Sequence, residues 1–567
     1  KELAPAVDDI PRLAALLDLD PDQLIRRISR SIDKEFLFLR RHLSPDKAGT
    51  WEYTIHFAAG EMAAVVPAAG EALAPYDGLK GSFVVKKSDK SAPDLRARGR
   101  LAYSGERYLR FLGDGSYFLK AGPDAPETLL AYTGFDNTVE TIGKGPLKTW
   151  EPHLRDWREG DPSWQAGRGK ALVGAVNYLA GKGMNVMSFL TYNAGGDGDN
   201  VWPYVTRNGK FNFDVSKLDQ WEVLFAYAQS RGIYLHFKLQ ENESDDNRQG
   251  AARRDTIIPE SMDGGLLGME RKLYLREMVA RFGHHLALNW NLGEENTQSY
   301  QEQRDMADYL SRLDPYRHHI VIHTFPGHQD RVYPQLLGAD SAISGPSLQN
   351  DWEVVHQRTL KWLDASALAG RQWVCANDEQ NPAGLGVPPD PGYEDFDGTA
   401  TEKDRSYALH DIRKYTLWGN LMAGGAGVEY YFGYRLPQND LLCEDFRSRD
   451  RSWDYCRIAL EFFADQKIPF WRMENADALV ENADRDNSRY CLARPGEIYL
   501  VYLPEGGSCD LDLSAAEGSY ELLWFNPRKG GDLEFGGTRR LPGGQRAGLG
   551  EPPSDPDQDW LAVIRRQ

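Results

Sequence analysis

Cysteine is scarce. Five residues, Cys375, Cys443, Cys456, Cys491 and Cys509, in a chain of 567 are too few and too unevenly spaced for a disulfide scaffold or a zinc site. They read as buried thiols, with Cys443 and Cys456 the sequence-close pair that a bridge would join. Long apolar runs are also missing: no stretch of about 18 apolar residues occurs, so no bilayer-spanning helix is expected. No charged, apolar and small-residue succession follows Lys1, so no export signal is expected within the chain. Positive charge is in deficit, with 66 Lys and Arg against 84 Asp and Glu and a net charge of −18, which argues against nucleic-acid or anionic-membrane partners and suits a neutral substrate. Phosphate-cradling loops are absent: there is no GxxxxGK[ST], and no GxGxxG follows the first barrel strand. HExxH and HxH spacings do not occur either, so His284-His285 and His318-His319 read as surface or core histidines, and neither metal nor cofactor is expected. GGDGDN at 195–200 could hold calcium through Asp197, Asp199 and Asn200, but reads first as a Gly/Asp/Asn turn.

What is present divides the chain into four parts. Residues 1–47 carry helical periodicity, with Leu24, Ile28, Ile32 and Phe36 four apart on one face. Residues 48–110 alternate in WEYTIHFA, GSFVVKK and GRLAYS, an antiparallel β texture too short for a complete sandwich. Over 111–470, eight short apolar runs (SYFLKAG, MNVMSFLTYN, IYLHFKLQ, LALNWNLGEE, HIVIHTF, AISGPSLQ, WVCANDEQ and GVEYYFGY) alternate with amphipathic helices. Eight repeats of strand and helix predict an α/β fold of the (β/α)8 TIM-barrel type, with an open doubly wound sheet as the rival. Residues 471–567 alternate again and predict a C-terminal β-sandwich.

In such a barrel, chemistry sits where the strands end. Strand two ends in Thr191-Tyr192-Asn193, strand three in Lys238-Leu239-Gln240-Glu241-Asn242, and strand four in Asn291-Leu292-Gly293-Glu294-Glu295. Strand five ends in His323, strand six in Gln349, strand seven in Asn377-Asp378-Glu379 and strand eight in Tyr431. Amides, aromatic rings and a few carboxylates converging on one mouth suit a polyhydroxylated ligand, whose hydroxyls need many hydrogen bonds and whose C–H faces stack on rings. Glycosidic cleavage needs one carboxylic acid to protonate the leaving oxygen and a second carboxylate to attack carbon or activate water. Glu295 and Glu379, on opposite sides of the mouth, are the candidates. Glu294 and Asp378 are their alternates, expected to point the other way if strand alternation persists. Tyr192, Asn193, Lys238, Gln240, Asn291, Glu294, His323, Gln349, Asn377 and Tyr431 are the candidate substrate-binding residues, and Asn291 is expected to help keep Glu379 ionised.

DGSYFLKAGPDAPETLLAY, GMNVMSFLTYNAGGDGDNVWPYV, DVSKLDQWE, YLHFKLQENE, ARFGHHLALNWNLGEEN, LWGNLMAGGAGVEYYFGY and WFNPRKGGDL resemble bacterial apiosidase-like glycoside hydrolases with an Ig-like N-terminal domain and a C-terminal domain of collagen-binding name. The resemblance implies a (β/α)8 barrel, a secreted or periplasmic location, a plant or algal poly- or oligosaccharide as substrate, and a retaining mechanism. It puts the acid/base at the end of strand four and the nucleophile at the end of strand seven. Related apiosidases carry W-x-L-G-G-D where this chain has Trp290-Asn291-Leu292-Gly293-Glu294-Glu295, so Glu295 stands in the acid's place on an arm one methylene longer, and apiose itself does not follow as the substrate. Residues up to 47 depart from this family and resemble instead a segment of division-type penicillin-binding transpeptidases. Ser44-Pro-Asp-Lys47 lacks the partner motifs that would make it a nucleophile. Two other functions compete: a non-catalytic carbohydrate-binding barrel, and a polysaccharide lyase with His323 or Tyr431 as base and Lys238 neutralising a uronate.

Overall fold

The computed structural model describes residues 44–567 apart from 46, 67, 68, 142, 144, 247, 250, 251 and 254–256. The helices expected over residues 10–43 lie outside the described residues. All eight runs read as barrel strands form strands: β1 (Lys120–Pro123), β2 (Val186–Leu190), β3 (Tyr234–Lys238), β4 (Leu288–Asn291), β5 (His319–His323), β6 (Gly345–Asp351), β7 (Ala376–Asn381) and β8 (Gly427–Tyr430). They lie parallel in the order β1-β8-β7-β6-β5-β4-β3-β2. The two ends of this sheet then meet. Asn185, just before β2, donates its backbone N–H to Ala121 O at 3.0 Å and accepts the Ala121 N–H on its side-chain oxygen at 2.9 Å. The seam is tight, since a Cβ at Gly122 would fall 2.1 Å from Val186 O.

The helices between strands bury the stripes their sequences set out. In α2 (Val215–Ser230), which follows α1 (Lys170–Gly181), Leu218, Trp221, Phe225 and Ala228 are buried, and Asp214 caps the first turn through Lys217 N. In α3 (Met269–Phe282) the buried stripe holds Leu275, Met278, Val279 and Phe282. Helix α4 (Tyr300–Leu313) opens on a Ser299/Glu302 capping box. Helix α5 (Val355–Leu368) separates β6 from β7. Before β8, helix α6 (Trp418–Met422) continues from a π-type stretch over Ile412–Leu417.

Barrels of this type are usually filled by branched aliphatic residues, but here charge occupies much of the interior in two tiers. In the lower tier Lys120 Nζ lies 2.7 Å from Asp378 and also pairs with Glu429. Glu429 accepts from His236 Nδ1 at 2.9 Å, while Asn291 Nδ2 donates to His236 Nε2 at 3.0 Å. Burial works to raise the Glu429 carboxyl, but its contacts with His236 and Lys120 override it and bring it down to about 2. In the upper tier Lys238 Nζ, fully buried, holds Asp124 at 2.9 Å together with Glu127 and Glu294.

At the C-terminal end, β9 (Glu474–Asn475), β10 (Tyr490–Arg494), β11 (Ile498–Leu503), β13 (Ser519–Phe525), β14 (Arg540–Pro542) and β16 (Trp560–Arg566) form a six-stranded sheet, antiparallel in the order β9-β10-β11-β16-β13-β14. A separate pair, β12 (Asp510–Asp512) and β15 (Arg546–Gly548), covers part of it. Strand alternation divides its core. Tyr490, Leu500, Tyr502, Phe525, Leu561 and Val563 join the barrel's core, while Tyr499, Val501, Leu522, Trp524, Trp560 and Ala562 form a second cluster on the far face. Trp418 before β8 stacks on Tyr502 at 5.3 Å, and α7 (Asp450–Asp465) brings Phe462 to 4.4 Å from Phe525. Arg413 grips Asp559 through two hydrogen bonds of 2.7 and 3.0 Å, and Tyr502 adds a third donor to that carboxylate.

The N-terminal β texture takes the form of three two-stranded antiparallel pairs, Gly49–Thr54 with Lys80–Val85, Ala58–Ala59 with Glu71–Ala72, and Leu101–Ala102 with Arg110–Phe111. The last of these seals the floor of the barrel, where Leu101 N donates to Leu286 O and Tyr103 OH to Gln372 O. All five cysteines are buried and free, so Cys443 and Cys456 are not bridged. Among the described residues, no helix is long and apolar enough to cross a membrane.

Candidate active site

At the C-terminal end of the barrel a cleft of about 390 Å³ opens above the upper charged tier, with Glu294, Glu295, Gln349, Glu379 and Tyr431 among its lining residues. Strand β4 stops at Asn291, and the next residues turn sharply. Gly293 takes φ of +156° with its α-carbon packed so close to Gln240 that a Cβ would fall 2.9 Å from Cγ, and Glu295 itself has φ of +43°. A glutamate in the left-handed region is strained backbone of the kind that accumulates at functional sites. The turn ends strand alternation, so Glu294 and Glu295 both face the cleft. The expectation that Glu294 would point away from its neighbour is corrected on this ground. Asp378 does turn away from Glu379, toward Lys120 in the lower tier.

One amide joins the two candidate catalytic carboxyls. Gln349 Nε2 donates to Glu295 Oε1 at 2.9 Å and to Glu379 Oε1 at 2.7 Å, so those oxygens are less than about 6 Å apart. Asn242 reaches the other Glu295 oxygen at 3.4 Å. Burial, aided by the charges of Glu379 and Glu294, raises the Glu295 carboxyl to about 9, so it holds its proton at neutral pH. Burial also raises Glu379, but His323 opposes that rise, its Nε2 lying 3.3 Å from Glu379 and 3.2 Å from Glu294. Glu294 behaves oppositely: burial would raise it, yet the His323 and Lys238 charges bring it down to about 2. One carboxyl is therefore protonated and another kept anionic within a few ångströms, the division of labour that acid–base cleavage of an acetal requires.

Solved structures of similar shape include a glycoside hydrolase family 5 protein from Bacteroides vulgatus, with a TM-score of 0.58 and 13% identity over 84% of this chain and 95% of that one. A second, named only as a glycoside hydrolase, has a TM-score of 0.57 and 13% identity over 84% and 99%. The fold is the (β/α)8 barrel of these enzymes. Residues 475–565 match the sequence family described as "Putative collagen-binding domain of a collagenase". No curated protein matches the chain.

Several residues expected to bind substrate instead build the frame of the cleft. Tyr192, buried, gives its hydroxyl to Glu260 O at 2.5 Å. The Asn193 amide organises the 193–201 turn, accepting from Asn200 N and Val201 N and donating to Asp197 O. Gln240 donates to Gln298 at 2.9 Å and accepts from Arg271. Asn377 spans the Asn350 amide and Glu379 O. Asn291 serves His236 rather than Glu379, whose donor is Gln349. Lys238 is walled off by three carboxylates, so it is not placed to neutralise a uronate. Each amide stands at a strand end, as expected, but the buried backbone and polar side chains around it take up its hydrogen bonds.

Sequence reasoning passed over Glu127, which follows β1 and lines the cleft beside Asp197, Glu241, Asn242, Glu243, Phe325, Asn381 and Tyr434. Glu241 and Asn242 stood in the strand-three ending, and Asp197 in the glycine-rich turn. The turn is held by Arg207, which grips Asp199 through hydrogen bonds of 2.6 and 2.7 Å. His284 and His285 face Glu222, and His318 and His319 are bonded to Asp314 and Ser344.

Proposed function

We propose that this protein is a retaining glycoside hydrolase in which Glu295 is the general acid/base and Glu379 the nucleophile. The Gln349 bridge carries the reading. Carboxyls about 5 to 5.5 Å apart let one attack the sugar carbon directly, whereas about 6.5 to 9.5 Å leaves room for an attacking water. The oxygens that Gln349 joins fall on the shorter side. Glu295 protonates the leaving oxygen, Glu379 forms the glycosyl-enzyme, and Glu295, now a base, activates the water that releases it. His323 and Gln349 hold Glu379 in place. The resemblance to apiosidase-like enzymes supports the same assignment, and on that resemblance rest a plant or algal glycan as substrate and a location outside the cytoplasm.

The test is turnover on a panel of defined polysaccharides and aryl glycosides. Glu379→Gln should abolish turnover, and Glu295→Gln should lower it by about 10² to 10⁴-fold on substrates with poor leaving groups. Azide should rescue Glu379→Ala as a glycosyl azide of inverted anomer. Rescue of Glu294→Ala instead would move the nucleophile to the anionic Glu294. Unchanged activity in both Glu295→Gln and Glu379→Gln removes the glycosidase reading, leaving a barrel that binds sugar without cleaving it.

A further inference from the structure

The cleft is walled on one side. Around the closed barrel β4 faces β8 and β5 faces β1, so the side opposite Glu295 belongs to the loops that follow β8, β1 and β2. Those three loops are tied to one another in a closed round. In the β8 loop the Asp440 carboxylate accepts the backbone N–H of Glu127, from the β1 loop, at 2.8 Å, and Lys148, farther along the β1 loop, donates to the Asp440 and Leu441 carbonyls. The β1 loop is fastened to the β2 loop: Thr141 donates to Asp199 O at 2.7 Å and Asn200 Nδ2 to Gly145 O at 3.0 Å, and a Cβ on Gly145 would fall 2.6 Å from the Gly198 α-carbon. The β2 loop returns to the β8 loop through Asp197, whose carboxylate accepts the Tyr434 hydroxyl at 2.5 Å. Both partners of that last bond are held from behind, Asp197 O by Asn193 Nδ2 at 2.7 Å and Tyr434 O by Asn439 Nδ2 at 3.1 Å. Glu127, Asp197 and Tyr434 line the cleft together.

The wall limits what the cleft can hold. The acid protonates the oxygen that departs, so the leaving chain lies on the acid's side and the sugar under attack lies away from it, over the nucleophile. Here the acid's side is that of β4 and β5, where Phe325 and Pro326 line the cleft, and the sugar attacked by Glu379 meets the tie between Asp197 and Tyr434. A further sugar joined to it on the non-reducing side would have to pass through that tie. The volume of about 390 Å³ is also at the small end of the roughly 300 to 1,000 Å³ usual for ligand pockets. We infer that the protein is exo-acting: it takes the non-reducing end of a chain, Asp197 and Tyr434 stop the chain there, and one sugar is released per turnover. This rests on the glycosidase reading of the same cleft and adds the direction of attack. Each turnover breaks the outermost glycosidic bond. The Glu295 proton passes to the departing chain, and water then supplies the hydroxyl of the freed sugar and returns a proton to Glu295.

The products test it. Hexasaccharides of whichever polysaccharide the native protein cleaves, carrying a fluorescent tag at the reducing end, would be digested with the full chain and the earliest products separated by chromatography. The native protein should give untagged monosaccharide and tagged pentasaccharide in equal amounts, before any shorter tagged product. Tyr434→Ala should raise the share of untagged di- and trisaccharide at least about tenfold, because the wall is what rejects a longer chain on that side. Its ring is 42% exposed, so the melting temperature should stay close to native. Asp197→Ala opens the same tie from the other loop and should shift the products in the same direction. Untagged disaccharide or longer among the first products of the native protein, or a product set unchanged in both variants, overturns the wall. Absence of turnover on every substrate tried, or turnover that survives in both Glu295→Gln and Glu379→Gln, removes the glycosidase reading and the exo assignment with it; internal cleavage that still needs both carboxyls removes the exo assignment alone.

Discussion

The burial of Glu295 and the anions of Glu379 and Glu294 beside it have a measurable consequence in pH. Under the proposed mechanism Glu295 must be protonated and Glu379 ionised for the first step, so activity should follow a bell. Its acid limb lies above the ordinary carboxylate value of 4.5, because burial raises Glu379, and its alkaline limb lies near 9, where Glu295 loses its proton. These limbs belong to the pair as a unit. With an aryl glycoside whose leaving group needs no proton, Glu295→Gln should lose the alkaline limb and keep the acid one. Stability has its own sign. The folded protein keeps a proton on Glu295 that the unfolded chain sheds from pH 4.5 upward, so this contribution is intact below about 4.5 and drains away toward 9. The melting temperature of Glu295→Gln relative to the native protein should therefore climb across that window, and a difference flat in pH would contradict the raised carboxyl.

The reach of the sequence at this scale depended on where a side chain stood. Glu295 and Glu379 were visible because they end apolar runs. The orientation of Glu294 was hidden because it depends on Gly293 and on a left-handed Glu295, and neither turn geometry is implied by alternation. Lys238 looked like a substrate contact for the same reason Glu379 looked catalytic. Only the three-dimensional neighbourhood separates a charge facing the cleft from one neutralised below it.

Among elements, the β4 turn carries the proposed acid/base, Glu295. Gly293→Ala would force a methyl to within 2.9 Å of Gln240 Cγ at a backbone angle side chains seldom adopt. A displacement of about 1 Å at a reacting group costs on the order of 10²-fold in rate. Gly293→Ala should therefore lower kcat by about tenfold to a hundredfold while leaving KM and melting temperature much closer to native. A fall in melting temperature without a fall in kcat would place the glycine's role in folding. The eight barrel strands were legible because parallel strands buried on both faces read as apolar runs, and each helix carried its stripe. The N-terminal pairs were less so, since two-residue strands such as Ala58–Ala59 leave almost no periodic trace.

For the whole molecule, the question is how the barrel and the C-terminal sheet share one interior. Trp524 of WFNPR points away from the barrel and packs against Trp560 on the far face. Its neighbour Phe525 faces the barrel, because adjacent residues of a strand point to opposite sides. Asp559, buried, is gripped across the junction by Arg413. Removing one partner of a buried ion pair costs about 3 to 5 kcal/mol, so Arg413→Ala should lower the unfolding free energy of the whole chain by that order, with barrel and sheet still melting together. Two separated transitions in calorimetry would mean that the shared core does not couple them.

The place of β16 in its sheet bears on how the protein is made. Trp560–Arg566 pairs with β11 on one side and β13 on the other, near the centre of the sheet that covers the barrel's aromatic flank. A ribosome adding about 5 to 20 residues per second finishes α7 roughly a hundred residues before it finishes that strand. For something on the order of ten seconds, Trp418, Phe462 and their neighbours therefore face water on a barrel otherwise ready to fold. Chaperone capture and proteolysis of nascent chains should concentrate in that interval and end abruptly as the last central strand slides into place.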